Sequence, residues 1–240
     1  MTQIFLVTGA SKGIGFETAR QLIEKGHDVI VGARTLEKAK AAALKLGPKA
    51  YPFKLDVTKI EDRQEVVKFI FDKWNKLDGL INNAAVFLEK DFDVSNAATV
   101  EMNILKETFE SNFFSLIELT QKCLPLLKKA EVGRIVNVTS ILGSLNLHAD
   151  KTSPIYGSKS LAYNSSKTAL NAFTIHLAHA LADTNIKVNS VHPGWVKTDM
   201  GGEMAPMQVS EGAKTSVEMA LLGIKGPSGK YVHLGESLPW

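Results

Sequence analysis

Tyr163 and Lys167 stand four residues apart in the segment YNSSK. Four residues of α-helix sweep about 400°, so the two side chains share one face, a turn apart. An ammonium held close to a phenol favours the phenolate and lowers a pKa that starts at about 10. A tyrosine so placed can give or take a proton at neutral pH. Y-x-x-x-K also occurs on ordinary surface helices, so the pair by itself carries little. It gains meaning from two companions: the glycine-rich loop TGASKGIG at 8–15, and Ser140 closing the apolar run GRIVNVTS. Hydride attack on a carbonyl carbon puts negative charge on its oxygen, and Ser140 and Tyr163 offer two hydroxyl donors to that oxygen. The three features together read as a nicotinamide-dependent oxidoreductase.

Elements must bring these residues to one place. Short β-rich apolar runs alternate with amphipathic helical patterns, which predicts a doubly wound α/β fold around a mostly parallel, seven-stranded sheet with helices on both faces. Strands are expected over 4–8, 28–33, 50–55, 79–82, 133–139, 187–192 and 230–234. Helices are expected over 14–25, 36–46, 60–74, 97–127 and 162–182. In the long helix over 97–127, Met102, Leu105, Phe109, Phe113 and Leu116 recur at helical spacing and read as core. The irregular stretches 142–160 and 195–212 both follow strand C-termini, the edge where open α/β sheets bind ligands. A competing pair, Tyr156 and Lys159, is only three residues apart and follows Pro154. Tyr163 is the better choice because Ser166 to Leu170 opens an amphipathic pattern continued by Phe173 and Leu177.

Bulk properties bound the rest. The chain has 240 residues, 45% of them hydrophobic, which suits one domain over 1–240 with a full core. Its 28 basic and 25 acidic residues leave a net charge of +3, too even to argue for nucleic acid. Cys123 is the single cysteine, so no intrachain disulfide forms and a reducing, cytoplasmic setting is expected. The first residues lack a signal-peptide pattern, and no apolar run approaches the roughly 20 residues of a membrane span. His192 has no second histidine or carboxylate at ligand spacing, so no metal site is expected.

The loop at 8–15 joins an expected strand to an expected helix, where glycines let backbone approach a pyrophosphate and the helix start presents free N–H groups. Its spacing, T-G-x-x-x-G-I-G, resembles the short-chain dehydrogenase/reductase family. The resemblance runs through the chain in family order: Asp56-Val57, Asn82-Asn83-Ala84-Ala85, Asn112, Ser140, Tyr163 with Lys167, and His192-Pro193-Gly194. The tail, PGWVKTDMGG then EGAKTSVEMALL and GPSGKYV, is similar to the carbonyl-reductase branch.

The resemblance implies a catalytic set of Asn112, Ser140, Tyr163 and Lys167, with Asn112 holding a water on the proton path toward Lys167. It implies cofactor contacts from Gly9, Ser11, Lys12, Gly13, Ile14 and Gly15. Asp56 and Val57 would take the adenine, and Asn83 and Ala84 the ribose. Pro193, Gly194, Val196 and Thr198 would flank the nicotinamide, with Tyr163 and Lys167 beside them. Asp56 equally suits a local turn before the third helix. Where NAD sites carry an acidic residue after the second strand, this chain has Ala33 and then Arg34. Arg34 and Lys12 could hold a 2′-phosphate, so NADP(H) is the expected cofactor. Trp195, Met200 and Met204 are expected to line the pocket of a small-molecule carbonyl substrate, although the methionines equally suit packing within their loop. The chain departs from the family in having Asn-Asn-Ala-Ala where Asn-Asn-Ala-Gly is commoner. It also has a longer stretch between Ser140 and Tyr163, which leaves monomer and homo-oligomer both open. A non-catalytic NADP(H) sensor or scaffold on the same fold is the rival reading, since fold alone does not establish chemistry. An epimerase of the same fold is a third.

Overall fold

A computed structural model of the protein describes residues 1–89 and 97–240. The elements run β1 (Ile4–Val7), α1 (Gly13–Glu24), β2 (Asp28–Ala33), α2 (Leu36–Leu46), β3 (Ala50–Lys54), α3 (Ile60–Trp74) and β4 (Gly79–Asn82). There follow α4 (Met102–Phe109), a π-helical turn (Glu110–Phe114), α5 (Ser115–Leu127), β5 (Gly133–Val138), a 3-10 turn (Ile141–Gly143) and α6 (Leu145–Ala149). The chain closes with α7 (Leu161–Ala180), β6 (Ile186–Val191), α8 (Val209–Gly212), α9 (Lys214–Ala220), β7 (Lys230–His233) and β8 (Glu236–Ser237).

The sheet order is β3-β2-β1-β4-β5-β6-β7-β8. Every pairing is parallel except β7 with β8. The strand order reverses between β1 and β4, which opens a crevice beyond their C-terminal ends.

Side chains on a strand alternate between faces, and β1 shows it plainly. Ile4 and Leu6 join a core with α3, α5 and α7, through Val66, Ile70, Leu119, Cys123 and Ala178. Phe5 and Val7 join the opposite core with α1, α2 and α9, through Ala19, Leu22, Ala42, Val217 and Ala220. Central strands buried on both faces are therefore nearly continuous apolar runs, which is what made them visible in the sequence. Burial pushes the Cys123 thiol up to about 12, the behaviour of a packing residue rather than a nucleophile.

Four expectations need correction. The sheet has an eighth strand, β8, too short to leave a periodic signal. The helix expected over 97–127 starts only at Met102 and is interrupted by the π turn around Asn112, a change of hydrogen-bond register that apolar spacing does not reveal. The stretch 142–160 contains α6, and 195–212 ends in α8 with α9 beyond it; all three helices are short enough to escape pattern reading. Finally, of the five residues expected as core on that helix only Leu116 is buried; Leu105, Phe109 and Phe113 are half-buried and Met102 is exposed.

Candidate active site

The cofactor side is built where the turn after β1 crosses the turn after β4. Gly9 has φ +64°, and a Cβ there would lie 2.9 Å from the Ala84 Cα. A Cβ on Gly15 would lie 2.4 Å from Asn83 Nδ2 and 2.6 Å from the Gly9 carbonyl oxygen. These distances are all closer than real Cβ atoms come, so the two turns meet only because these residues are glycine. Thr8 ties them: its hydroxyl accepts from the Asn83 amide at 3.0 Å and the Ala84 amide at 2.9 Å. Asn83 Nδ2 donates to the Thr8 and Gly9 carbonyls at 2.9 and 3.2 Å. Asn83, expected with Ala84 at the ribose, spends its side-chain nitrogen on bracing the glycine loop. Lys12 is the N-cap residue of α1, makes no side-chain cap bond, and no acid occupies the first turn. The first turn of the helix therefore offers its N–H groups with no acid in that turn to compete for them.

Arg34 is exposed at the end of β2 and forms no ion pair among the described residues. Lys12 instead pairs with Asp199, across the crevice on the loop after β6. Both partners are solvent-exposed, so the pair is weak and its lysine is readily given up. Asp56 makes the local turn with one carboxylate oxygen: its Oδ1 accepts from the Thr58 amide and hydroxyl at 3.1 and 2.8 Å. Val57 beside it is buried in the core. Ser11, Gly13 and Ile14 are half-buried along the crevice. A Cβ on Gly13 would stand 3.4 Å from the Thr198 Cγ2, so the glycine loop and the loop after β6 are neighbours.

Ser140 follows β5 and lies buried beside Tyr163. Its Oγ accepts from the Leu142 amide at 3.2 Å, which leaves its own O–H free to donate. Tyr163 sits in the first turn of α7, its ring edge-on to Phe87 with centroids 5.0 Å apart. Lys167 Nζ donates to the Val138 carbonyl at 2.9 Å and lies 5.5 Å from the Tyr163 ring centroid. The shared helix face expected from the spacing is present. The expected electrostatics are reversed in the free protein: burial pushes the Tyr163 phenol up to about 12, and a hydrogen bond with Ser140 pulls the other way without overcoming it. Burial likewise draws Lys167 down to about 8. Both groups are desolvated together, and that outweighs an ammonium more than one hydrogen bond away.

Asn112 occupies the π turn and is fully buried. Its Oδ1 accepts from the Val86 amide at 2.8 Å, and its Nδ2 donates to the Val86 carbonyl and to Ser166 Oγ at 2.9 and 3.2 Å. The carboxamide is thus committed to protein partners at both of its polar atoms. Tyr156, the competing tyrosine, is 39% exposed in the loop before α7, with Lys159 Nζ 4.6 Å above its ring.

The loop after β6 starts at His192, Pro193 and Gly194. Burial draws His192 down to about 3, so it is neutral, and its Nδ1 accepts from the Ile141 amide at 3.1 Å. His192 is a structural acceptor that orients the backbone just past Ser140. Val196 is buried and bridges to Met207, while Thr198 Oγ1 accepts from the Gly201 amide at 3.1 Å. Trp195 is 57% exposed, with its indole N–H donating to the Gly201 carbonyl at 2.8 Å. Met200 and Met204 are exposed rather than packed in their own loop. The sequence reading missed Thr8, Asp199 and Glu89. Each acts across at least 70 residues, and no local pattern marks such a partner.

A family model described as short chain dehydrogenase matches residues 3–209. The short-chain dehydrogenase anuI of Penicillium roqueforti (strain FM164) is 35% identical over 230 residues, covering 92% of this chain and 89% of that protein. Among solved structures, the carbonyl reductase Sniffer of D. melanogaster superposes with a TM-score of 0.85 at 29% identity, covering 100% of both chains. The NADPH-bound carbonyl reductase from chicken fatty liver gives a TM-score of 0.86 at 25% identity, covering 100% of this chain and 99% of that one.

Proposed function

The chain belongs to the short-chain dehydrogenase family, and from that membership we propose that it reduces a small-molecule ketone or aldehyde to an alcohol with NADPH, as a single domain over 1–240. Oxidoreduction between C=O and CH–OH groups follows from the family and from relatives named as carbonyl reductases. The finer reading is carried by one observation: Ser140, Tyr163 and Lys167 lie buried together at the C-terminal edge of the sheet, beside the crevice.

The crevice fits a dinucleotide. Its glycines leave room for backbone contact, the first turn of α1 carries no acid, and Arg34 is an exposed cation, unpaired among the described residues, at the place of a 2′-phosphate. Gly9, Ser11, Lys12, Gly13, Ile14 and Gly15 would hold the phosphates, and Asp56, Val57, Asn83 and Ala84 the adenosine. Pro193, Gly194, Val196 and Thr198 would hold the nicotinamide end. NADPH, when bound, supplies the hydride. Ser140 and Tyr163 then donate to the carbonyl oxygen as charge develops on it, and Tyr163 delivers its proton there. Lys167, charged, favours the phenolate that remains. Trp195 and Met200 offer apolar surface at the mouth for the substrate. No helix among the described residues is long and apolar enough to cross a membrane. The lone buried thiol supports extending the reading to the cytoplasm.

The test is loss of reduced-nicotinamide absorbance on a panel of quinones, aryl ketones, aliphatic aldehydes, cyclic terpenoid ketones and steroids, with NADH in parallel. Turnover with NADPH on at least one class is expected. NADPH binding with no turnover on any class would favour the sensor reading.

The buried lysine sets a pH limb. Below about 8 Lys167 carries its charge, and above it the charge is lost, whereas Tyr163 keeps its proton up to about 12. The reduction rate is therefore expected to stay level on the acid side and to fall about tenfold per pH unit above Lys167's pKa. A kcat/KM profile that stays level well into the alkaline range would remove Lys167 from the proton step.

A further inference from the structure

Glu89 follows the Asn83–Ala84 turn and is buried against the start of α7. One carboxylate oxygen accepts from the Ala162 amide at 3.1 Å and the other from the Tyr163 amide at 2.9 Å. These are the second and third residues of α7, whose amides have no acceptor inside the helix. The local alternative goes unused. Ser160 is the N-cap residue with extended backbone, yet its side chain makes no cap bond, and its hydroxyl is buried without a partner among the described residues. The cap is supplied instead from 73 and 74 residues away.

A remote cap does what a local one does not: it ties the helix start to another part of the site. The loop after β4 holds the same region at two further points. Phe87 meets the Tyr163 ring edge-on at 5.0 Å. Val86 is clamped on both backbone groups by Asn112, which also reaches Ser166 on α7. Tyr163 is therefore gripped by its ring through Phe87 and by its backbone through Glu89. Helix ends are where a helix opens first, and Tyr163 lies in the first turn. Slack there passes directly to the phenol.

We propose that Glu89 is a positioning residue, which fixes the Tyr163 hydroxyl beside Ser140 by bolting the backbone of residue 163 to the loop that carries Asn83 and Ala84. This rests on the reading of Tyr163 as proton donor. A misplacement of about 1 Å at a reacting group costs on the order of a hundredfold in rate, so a single lost backbone bond at this residue is visible in turnover.

The test uses the full chain with NADPH and an aryl quinone as the carbonyl probe. Glu89→Gln keeps the size but turns an N–H donor toward one of the two amides, so one bond is lost. It is expected to lower kcat roughly ten- to a hundredfold, with KM and the NADPH Kd nearly unchanged. Adding Ser160→Asp supplies a local cap. In the double variant Tm should return while kcat stays low, because the tie to the loop is still cut. Wild-type kcat in Glu89→Gln would overturn the proposal. So would joint recovery of Tm and kcat in the double variant, which would make Glu89 a plain helix cap. Tyr163→Phe, run alongside, separates the two failures: if it also keeps wild-type kcat, the proton-donor reading has failed, and if it alone is slow, only the role of Glu89 has.

Discussion

Tyr163→Phe is expected to bind NADPH as the parent does and to lose roughly a thousandfold in kcat, within the range general acid catalysis contributes. The substitution removes one hydroxyl and little else. The ring is 8% exposed and packed edge-on against Phe87, so phenylalanine fits the same space. Ser140 keeps its bond from Leu142 and remains one donor to the carbonyl oxygen. It cannot replace the proton delivered by the phenol, so the loss falls on kcat rather than on cofactor binding. Steady-state kinetics with the most active carbonyl of the panel, together with NADPH titration, check both halves. Normal turnover would move the proton donor elsewhere, and Tyr156 beside Lys159 would be the next phenol to change.

Arg34→Asp should reverse the cofactor preference. Arg34 stands exposed at the end of β2 with no carboxylate paired to it among the described residues, whereas Lys12 is already drawn to Asp199. The guanidinium is therefore the charge most available to a 2′-phosphate. A charge-assisted hydrogen bond is worth about 1.5–3 kcal/mol, so its loss weakens NADPH by roughly ten- to a hundredfold. The new carboxylate repels the phosphate and can accept from a ribose 2′-hydroxyl, which favours NADH. The ratio of kcat/KM for the two cofactors reads the outcome. An unchanged ratio would take Arg34 out of the phosphate site.

Much of the site is legible from short stretches of chain. The offset of Tyr163 and Lys167 sets a common helix face through helical geometry alone, and α7 carries both. The runs IFLV, DVIVGA and GRIVNV form buried parallel strands because a sheet covered on both faces favours nearly continuous apolar sequence. The glycines of TGASKGIG mark a close backbone crossing, and Gly9 and Gly15 make one with Asn83 and Ala84.

What spacing does not encode is who arrives from elsewhere and how much water is left. The Asn83 side chain braces Thr8 and Gly9, Asp199 takes Lys12, and Glu89 caps α7, each across at least 70 residues. The π turn places Asn112 between Val86 and Ser166, a register change that apolar periodicity passes over. The protonation states follow the same division. Four residues of helix bring a lysine and a tyrosine together, but only the packing around them decides that Tyr163 is raised and Lys167 lowered. The sequence by itself determined the fold, the crevice and the helix face that Tyr163 and Lys167 share, because those rest on local geometry. The tertiary structure decided their energetics and their supports, because desolvation and long-range hydrogen bonds exist only once the chain has closed around them.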